Sequence, residues 1–282
     1  MSEAQTTVAP WWIEALRGIS REVVQLYRYR QLIAALTSRD LKARYRGSVL
    51  GFVWSLANPL MLLCVYTLVF TRFFPRPDLS PYPLFLFAGI LPWTFFASSV
   101  LEATTAISGN GSLIKKVMFP AEALPLVVVL SHLVHFVLAL PILLGALLIF
   151  ALVGKAPLTM VILLTPVLLF LQAVFVAGFA FMISSAAVLF RDLRDLVANL
   201  LQLGFFLTPI IYLFGGVKSA PIRGALWLNP MTAFVTAFQD IYFFGRSPSA
   251  LDFFLMIFWA TLSFSLGFLV FDRLRDTLAE AI

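Results

Sequence analysis

The chain has 282 residues, 61% hydrophobic and 12% charged, with a mean hydropathy of +0.96. A soluble domain carries roughly a quarter charged residues and less than half apolar ones, so this composition excludes a soluble globule and places the chain in a bilayer. The net charge of +6 would mark a nucleic-acid binder among soluble proteins, but in a membrane protein it orients loops and meets anionic headgroups, and no nucleic-acid partner is expected.

Residues 1–46 form an N-terminal segment with no continuous apolar core of the kind a signal peptide needs. Ser2 stands where a myristoylation signal requires glycine. From Trp11 to Tyr27 the spacing predicts an amphipathic interface helix. Trp12, Leu16, Ile19, Val23 and Tyr27 fall on one face, and Glu14, Arg17, Arg21, Gln25 and Arg28 on the other. Such a helix lies along the cytoplasmic leaflet, either touching a soluble partner or serving only as a lipid anchor. Arg39, Lys42, Arg44 and Arg46 follow, and no charge then appears until Arg72. Asp40 is placed to pair with Arg44 at i,i+4, while Arg39, Lys42 and Arg46 share a face that holds the first span at the headgroups.

A helix needs about 20 apolar residues to cross the hydrocarbon. Six stretches meet that length, at residues 47–71, 79–101, 123–154, 156–190, 196–217 and 253–271. Pro59 and Pro141 are expected to kink the first and third. Residues 218–250 are apolar in part but broken by Pro230 and flanked by turn-rich stretches, and read as a re-entrant or interfacial helical segment. A seventh span there would put the termini on opposite sides. With six, both termini share a side. Fourteen Lys and Arg residues then fall inside and six outside, so both termini, including the tail 272–282, are cytoplasmic. The expected fold is an all-α integral membrane protein of six transmembrane helices, with an N-terminal interface helix and a re-entrant segment on the outer face.

The second internal loop, "AISGNGSLIKKVMFPAEALP", predicts a short helix over Leu113, Ile114, Lys115, Lys116, Val117 and Met118, N-capped by Ser112 and stopped by Phe119-Pro120. In the third, "FRDLRDL", Arg191 and Asp195 are spaced to tighten a helical turn.

No catalytic set is apparent. The phosphate-binding "GxxxxGK[ST]" loop is missing, so the chain is expected to hydrolyse no nucleotide. Cys64 is the only cysteine, and it is expected to pack as a small hydrophobe. His132 and His135 could share a metal, but no third ligand is evident, and interhelical hydrogen bonding suits them better. Glu102 and Asp252 fall only at span ends. An acid–base enzyme is therefore not expected, and neither metal nor cofactor is assigned to this chain.

The spans are rich in aromatics, 29 of them phenylalanine. Trp54, Asn58, Tyr66 and Phe70 follow i,i+4 steps on the first span, and Asn199, Gln202, Phe206 and Pro209 stripe the fifth, with Tyr212 beside the outer end. Aromatic faces with amides suit sugars, whose C–H faces stack while their hydroxyls hydrogen-bond. For most of these residues taken singly, lipid contact and ordinary helix packing are the favoured explanation.

Four motifs in one order, "RDLKARYRGSVLGFVWSLANPL", "LIKKVMFPAEALPL", "FRDLRDL" and "NPMTAFVTAFQDIYFFG", make the chain from Trp11 to Phe271 resemble the permease subunits of bacterial ABC-2 type polysaccharide exporters, which carry O-antigen, capsule or teichoic acid. The resemblance implies a homodimer in the inner membrane, with two ABC ATPase subunits that bind ATP and Mg. It implies that residues 113–118 are the coupling helix, that the interface helix with Trp12, Arg17, Arg21 and Arg28 lies nearby, and that the first and fifth spans surround a channel for a lipid-linked glycan. The competing expectations are an ABC-2 exporter of a drug or simple lipid, and a transporter that needs no ATPase.

Overall fold

The computed structural model describes residues 28–45, 54–73, 79–110, 121–190 and 192–281. Among them all regular structure is helical. The nine α-helices are α1 (Arg30–Tyr45), α2 (Trp54–Leu68, continued by a π turn, Val69–Phe73), α3 (Tyr82–Ala106), α4 (Ala123–Leu152), α5 (Thr165–Leu189, preceded by a 3-10 turn, Met160–Leu164), α6 (Leu193–Leu207), α7 (Ala220–Leu228), α8 (Pro230–Gln239) and α9 (Ala250–Ala281). Four described stretches are long and apolar enough to cross a membrane: Tyr82–Ala106, Ala123–Leu152, Met160–Leu189 and Ala250–Arg275. They correspond to the second, third, fourth and sixth expected spans.

α3 is the central helix. It packs on α4, α5, α6 and α8, and Leu84, Phe85, Leu86, Phe87 and Ala88 have no exposed surface. Aromatic rings fill the space around it: Phe96 stacks on Phe175 at 5.5 Å, and Phe175 meets Phe234 of α8 at 5.1 Å. Part of the aromatic excess therefore packs the interior. A buried amide and a buried hydroxyl tie the core together. The Gln172 amide donates to the Pro92 carbonyl at 2.7 Å, and Ser263 Oγ donates to the Phe175 carbonyl at 2.8 Å. Between helices in lipid such bonds and close packing replace the hydrophobic drive.

Among the described residues the α5–α9 pairing is the most extensive. It depends on glycine, because a Cβ on Gly178 would stand 2.3 Å from the Ser263 backbone.

One expected element differs. The expected fifth span over 196–217 is a 15-residue helix, α6, that ends at Leu207. Thr208 is extended because Pro209 follows, and the ring disfavours helical geometry in the residue before it. The segment 218–250 resolves into α7 and α8, broken at Asn229-Pro230 as the sequence indicates. A π turn, Asp240–Phe244, closes α8 at the left-handed Gly245 (φ 64°). A reciprocal Ser249–Asp252 capping box then opens α9: the Ser249 N–H donates to Asp252 Oδ2 at 3.2 Å, while the Asp252 N–H donates to Ser249 Oγ at 3.1 Å.

Candidate functional site

Of the residues singled out by sequence, Trp12, Arg17 and Arg21, and the whole coupling segment Leu113, Ile114, Lys115, Lys116, Val117 and Met118, lie outside the described residues, as do Arg46 and Arg191. Arg28 is exposed just ahead of α1. Trp54, Asn58 and Phe70 fall on α2 and its π turn, with their side chains outside the described set. Tyr66 is half-buried against the main core.

α6 presents the clearest surface. Val197 is buried, and Leu193, Leu201 and Phe205 pack beside it. Asn199, Gln202 and Phe206 lie on the exposed side, so the expected stripe is an accessible face. Gly204 lets α6 approach α3, since a Cβ there would meet the Trp93 ring at 2.9 Å. The Tyr212 hydroxyl donates to the Phe206 carbonyl at 3.4 Å, bringing these two expected channel residues together. Among the described residues α2 packs mainly on α3 and α4, and α6 mainly on α3 and α5.

The non-helical stretch after α6 is held by side chains from three other places. Non-helical backbone at membrane depth must find partners inside the protein. The fully buried Gln239 amide donates to the Pro209 carbonyl at 3.0 Å and is oriented toward that of Ile210 at 3.4 Å. Gly89 makes the room, since a Cβ there would press on the Gln239 nitrogen at 2.8 Å. The Tyr82 hydroxyl donates to the Ile211 carbonyl at 2.7 Å. Asn229 serves both neighbours. Its amide donates to the Leu207 carbonyl (3.2 Å) and to Thr208 Oγ1 (2.9 Å), and its oxygen caps α8 by accepting from the Met231 N–H at 3.0 Å. Asn229 and Gln239 sit in the "NPMTAFVTAFQDIYFFG" motif, whose spacing gave no hint of this task.

At the far end of the same motif Asp240 accepts from Arg246 at 2.9 Å, and the guanidinium lies 4.7 Å over the Phe244 ring. Burial raises the Asp240 carboxyl above its ordinary value; Arg246 pulls it down, and Asp252 adds to the rise.

A second polar cluster joins α1, α3 and α4. Arg44 pairs with Asp40 at 3.0 Å, as the i,i+4 spacing predicts, and also with Glu102 of α3. The other oxygen of Glu102 faces His132 Nε2 of α4 at 2.7 Å. Desolvation acts most strongly on Arg44 and lowers it, but the Glu102 and Asp40 carboxylates together outweigh it and raise the guanidinium above its usual range. His132 thus bridges helices, as expected, though through Glu102, which the sequence placed only at a span end. Among the described residues no group of three His, Cys, Asp or Glu side chains could hold a metal.

Glu122, at the start of α4, is only 3% exposed and accepts from Arg275 of α9 at 2.9 Å.

These features describe a multi-pass helical protein built around an amphipathic surface helix and a braced break. Residues 31–243 match the ABC-2 type transporter family. The chain is 38% identical over 269 residues to the O-antigen export system permease protein RfbA of Myxococcus xanthus, covering 93% of this chain and 99% of that protein. It is 29% identical over 251 residues to the protein of the same name from Klebsiella pneumoniae, covering 89% and 95%. A shorter stretch of 85 residues is 31% identical to the polysialic acid transport protein KpsM of Escherichia coli, covering 29% of this chain and 32% of that one. The chain belongs to the ABC-2 type transporter family.

Proposed function

We propose that this chain is the permease subunit of an ATP-driven exporter that moves a lipid-linked polysaccharide outward across the bacterial inner membrane. The observation that carries the reading is the near full-length likeness to O-antigen export permeases. The exposed Asn199, Gln202 and Phe206 face of α6 supports it, since amides and rings side by side suit a sugar polymer.

In this reading two copies of the chain form a dimer of six-span subunits with all termini cytoplasmic. The α6 faces, together with Trp54, Asn58, Tyr66 and Phe70 of α2, line a channel that neither chain closes alone. Residues 218–250 form a re-entrant outer rim, and the braced stretch Thr208–Tyr212 sets the channel's upper edge. Two ATPase subunits bind ATP and Mg and close on each other. Residues 113–118 take up that movement, with the interface helix of Trp12, Arg17, Arg21 and Arg28 alongside. Many weak stacking contacts let a polymer slide where a deep pocket would trap it.

The test is a purified complex of the chain with its ATPase. Lipid-linked glycan should stimulate ATP turnover, and Leu113→Asp with Lys116→Glu should abolish that stimulation while the ATPase keeps its basal rate. Stimulation by small hydrophobic drugs and not by glycolipid would replace the substrate assignment with the drug or simple-lipid alternative.

A further inference from the structure

Two cavities meet at one ion pair. The larger, about 530 Å³, lies among α2, α3 and α4. Its walls are mostly apolar, with Leu62, Phe87, Phe95 and Phe136 among them, and Arg44, Thr94, Ser98, His132 and His135 form its polar part. The smaller, about 270 Å³, lies among α1, the end of α3 and the start of α4, and has Arg39, Asp40, Glu102 and Asn110 in its wall. The cavities share no lining residue, yet Arg44 of the larger bonds Asp40 and Glu102 of the smaller. Arg44 and these two carboxylates stand between the cavities.

The chemistry at the partition is that of an anion held in a cationic fork. Glu102 takes Arg44 on one oxygen and His132 on the other, the geometry in which a phosphate would meet a guanidinium and an imidazole. Beyond it stands an apolar chamber able to hold a hydrocarbon chain, and before it stands the exposed Arg39, which has no carboxylate partner among the described residues. Ionic groups on one side and oil on the other match an amphiphile, and the Arg44–His132 fork between them selects an acidic head over the Asp40 and Glu102 carboxylates nearby.

We propose, on the basis of the export reading above, that the two cavities are halves of one loading path for the phosphate-bearing end of the lipid-linked glycan, and that the Arg44–Glu102 pair is its gate. Glu102 is the resident anion. An incoming phosphate takes Arg44 and His132 from it, Glu102 turns toward the smaller cavity, and the chambers join. The lipid opens the gate because it binds only the open arrangement, and it can shift the balance only by that difference in affinity.

The gate is tested without ATP or glycan, in the full complex in lipid nanodiscs. In a Cys64→Ser background, Ser98→Cys places a thiol in the larger cavity. A water-soluble maleimide should label it slowly, several-fold faster in Glu102→Gln and in Arg44→Gln, and slowly again in Glu102→Asp. Equal labelling of all four proteins overturns the gate. Binding to the parent chain tests the occupant with no variant at the gate. A polyprenyl phosphate should bind about tenfold tighter than the uncharged polyprenol, the difference expected of a charge-assisted hydrogen bond. Inorganic phosphate alone should not compete at millimolar concentration. Equal binding of the two lipids, or competition by inorganic phosphate, overturns the lipid assignment. If both assays behave as expected but glycolipid fails to stimulate ATP turnover, the export reading falls and the gate stands.

Discussion

Gly178 of α5 and Gly267 of α9 touch backbone to backbone: a Cβ added to Gly267 would lie 2.0 Å from the Gly178 carbonyl oxygen. No side chain can yield there, because the obstacle is main chain. Replacing either glycine by alanine must push the two helices apart along the most extensive contact among the described residues, and overpacking of this kind costs about 1–3 kcal/mol or more. Thermal unfolding in detergent should show a clear loss for Gly178→Ala and Gly267→Ala. Gly145→Ala is the control, since nothing lies within 4 Å of its added methyl; it should be neutral or slightly stabilising, as alanine favours the helix. Equal effects at all three sites would contradict the close contact.

Gln239→Leu removes the donor that serves the Pro209 carbonyl. A buried carbonyl left without a partner costs about 1–3 kcal/mol. The loss should be local as well as global: amide exchange should rise over residues 205–213 more than in α5 or α9. Uniform exchange across these helices would mean that Gln239 only fills space.

The Asp240 carboxyl is raised by burial above its ordinary 3.8. A group whose folded pKa is raised contributes stability below its unfolded value, and that contribution is lost as pH rises through the folded value. Asp240→Asn carries no such dependence. The stability of the native protein relative to Asp240→Asn should therefore improve as pH falls from neutral toward 3.8. A difference that stays constant with pH, or reverses, would contradict the burial of this carboxyl.

Arg275→Ala strands the buried Glu122, and leaving one buried charge uncompensated costs about 3–5 kcal/mol. Glu122→Gln with Arg275→Ala should recover much of that loss, because no charge then remains buried. Midpoints of thermal unfolding for the two variants decide it, and identical midpoints would show that the pair is not stabilising α4 against α9.

The sequence exposed what depends on hydropathy and local spacing. The helices over Ala123–Leu152 and Ala250–Arg275 are read from apolar length. The Asp40–Arg44 pair and the accessible Asn199–Gln202–Phe206 face follow from helical periodicity. The end of α6 did not follow, because the residues after Pro209 remain apolar and a hydropathy window cannot see a missing backbone donor. The signal was Pro209 itself. The Glu102 cluster was illegible for another reason: its partners Arg44 and His132 lie 58 and 30 residues away, and only folding brings them together. Asn229 and Gln239 carry no signal of their task in their spacing, and only the carbonyls after α6 that they serve explain them.

The central claim is outward movement of a lipid-linked glycan driven by ATP. Inside-out vesicles containing the chain and its ATPase, loaded on their outer leaflet with labelled glycolipid, test it most directly. The account predicts that labelled glycan becomes protected inside the vesicles only with hydrolysable ATP, and that Gln202→Ala with Phe206→Ala slows its appearance while leaving the basal ATP turnover of the complex intact. Protection without ATP, or ATP turnover that never moves the glycan, would contradict it.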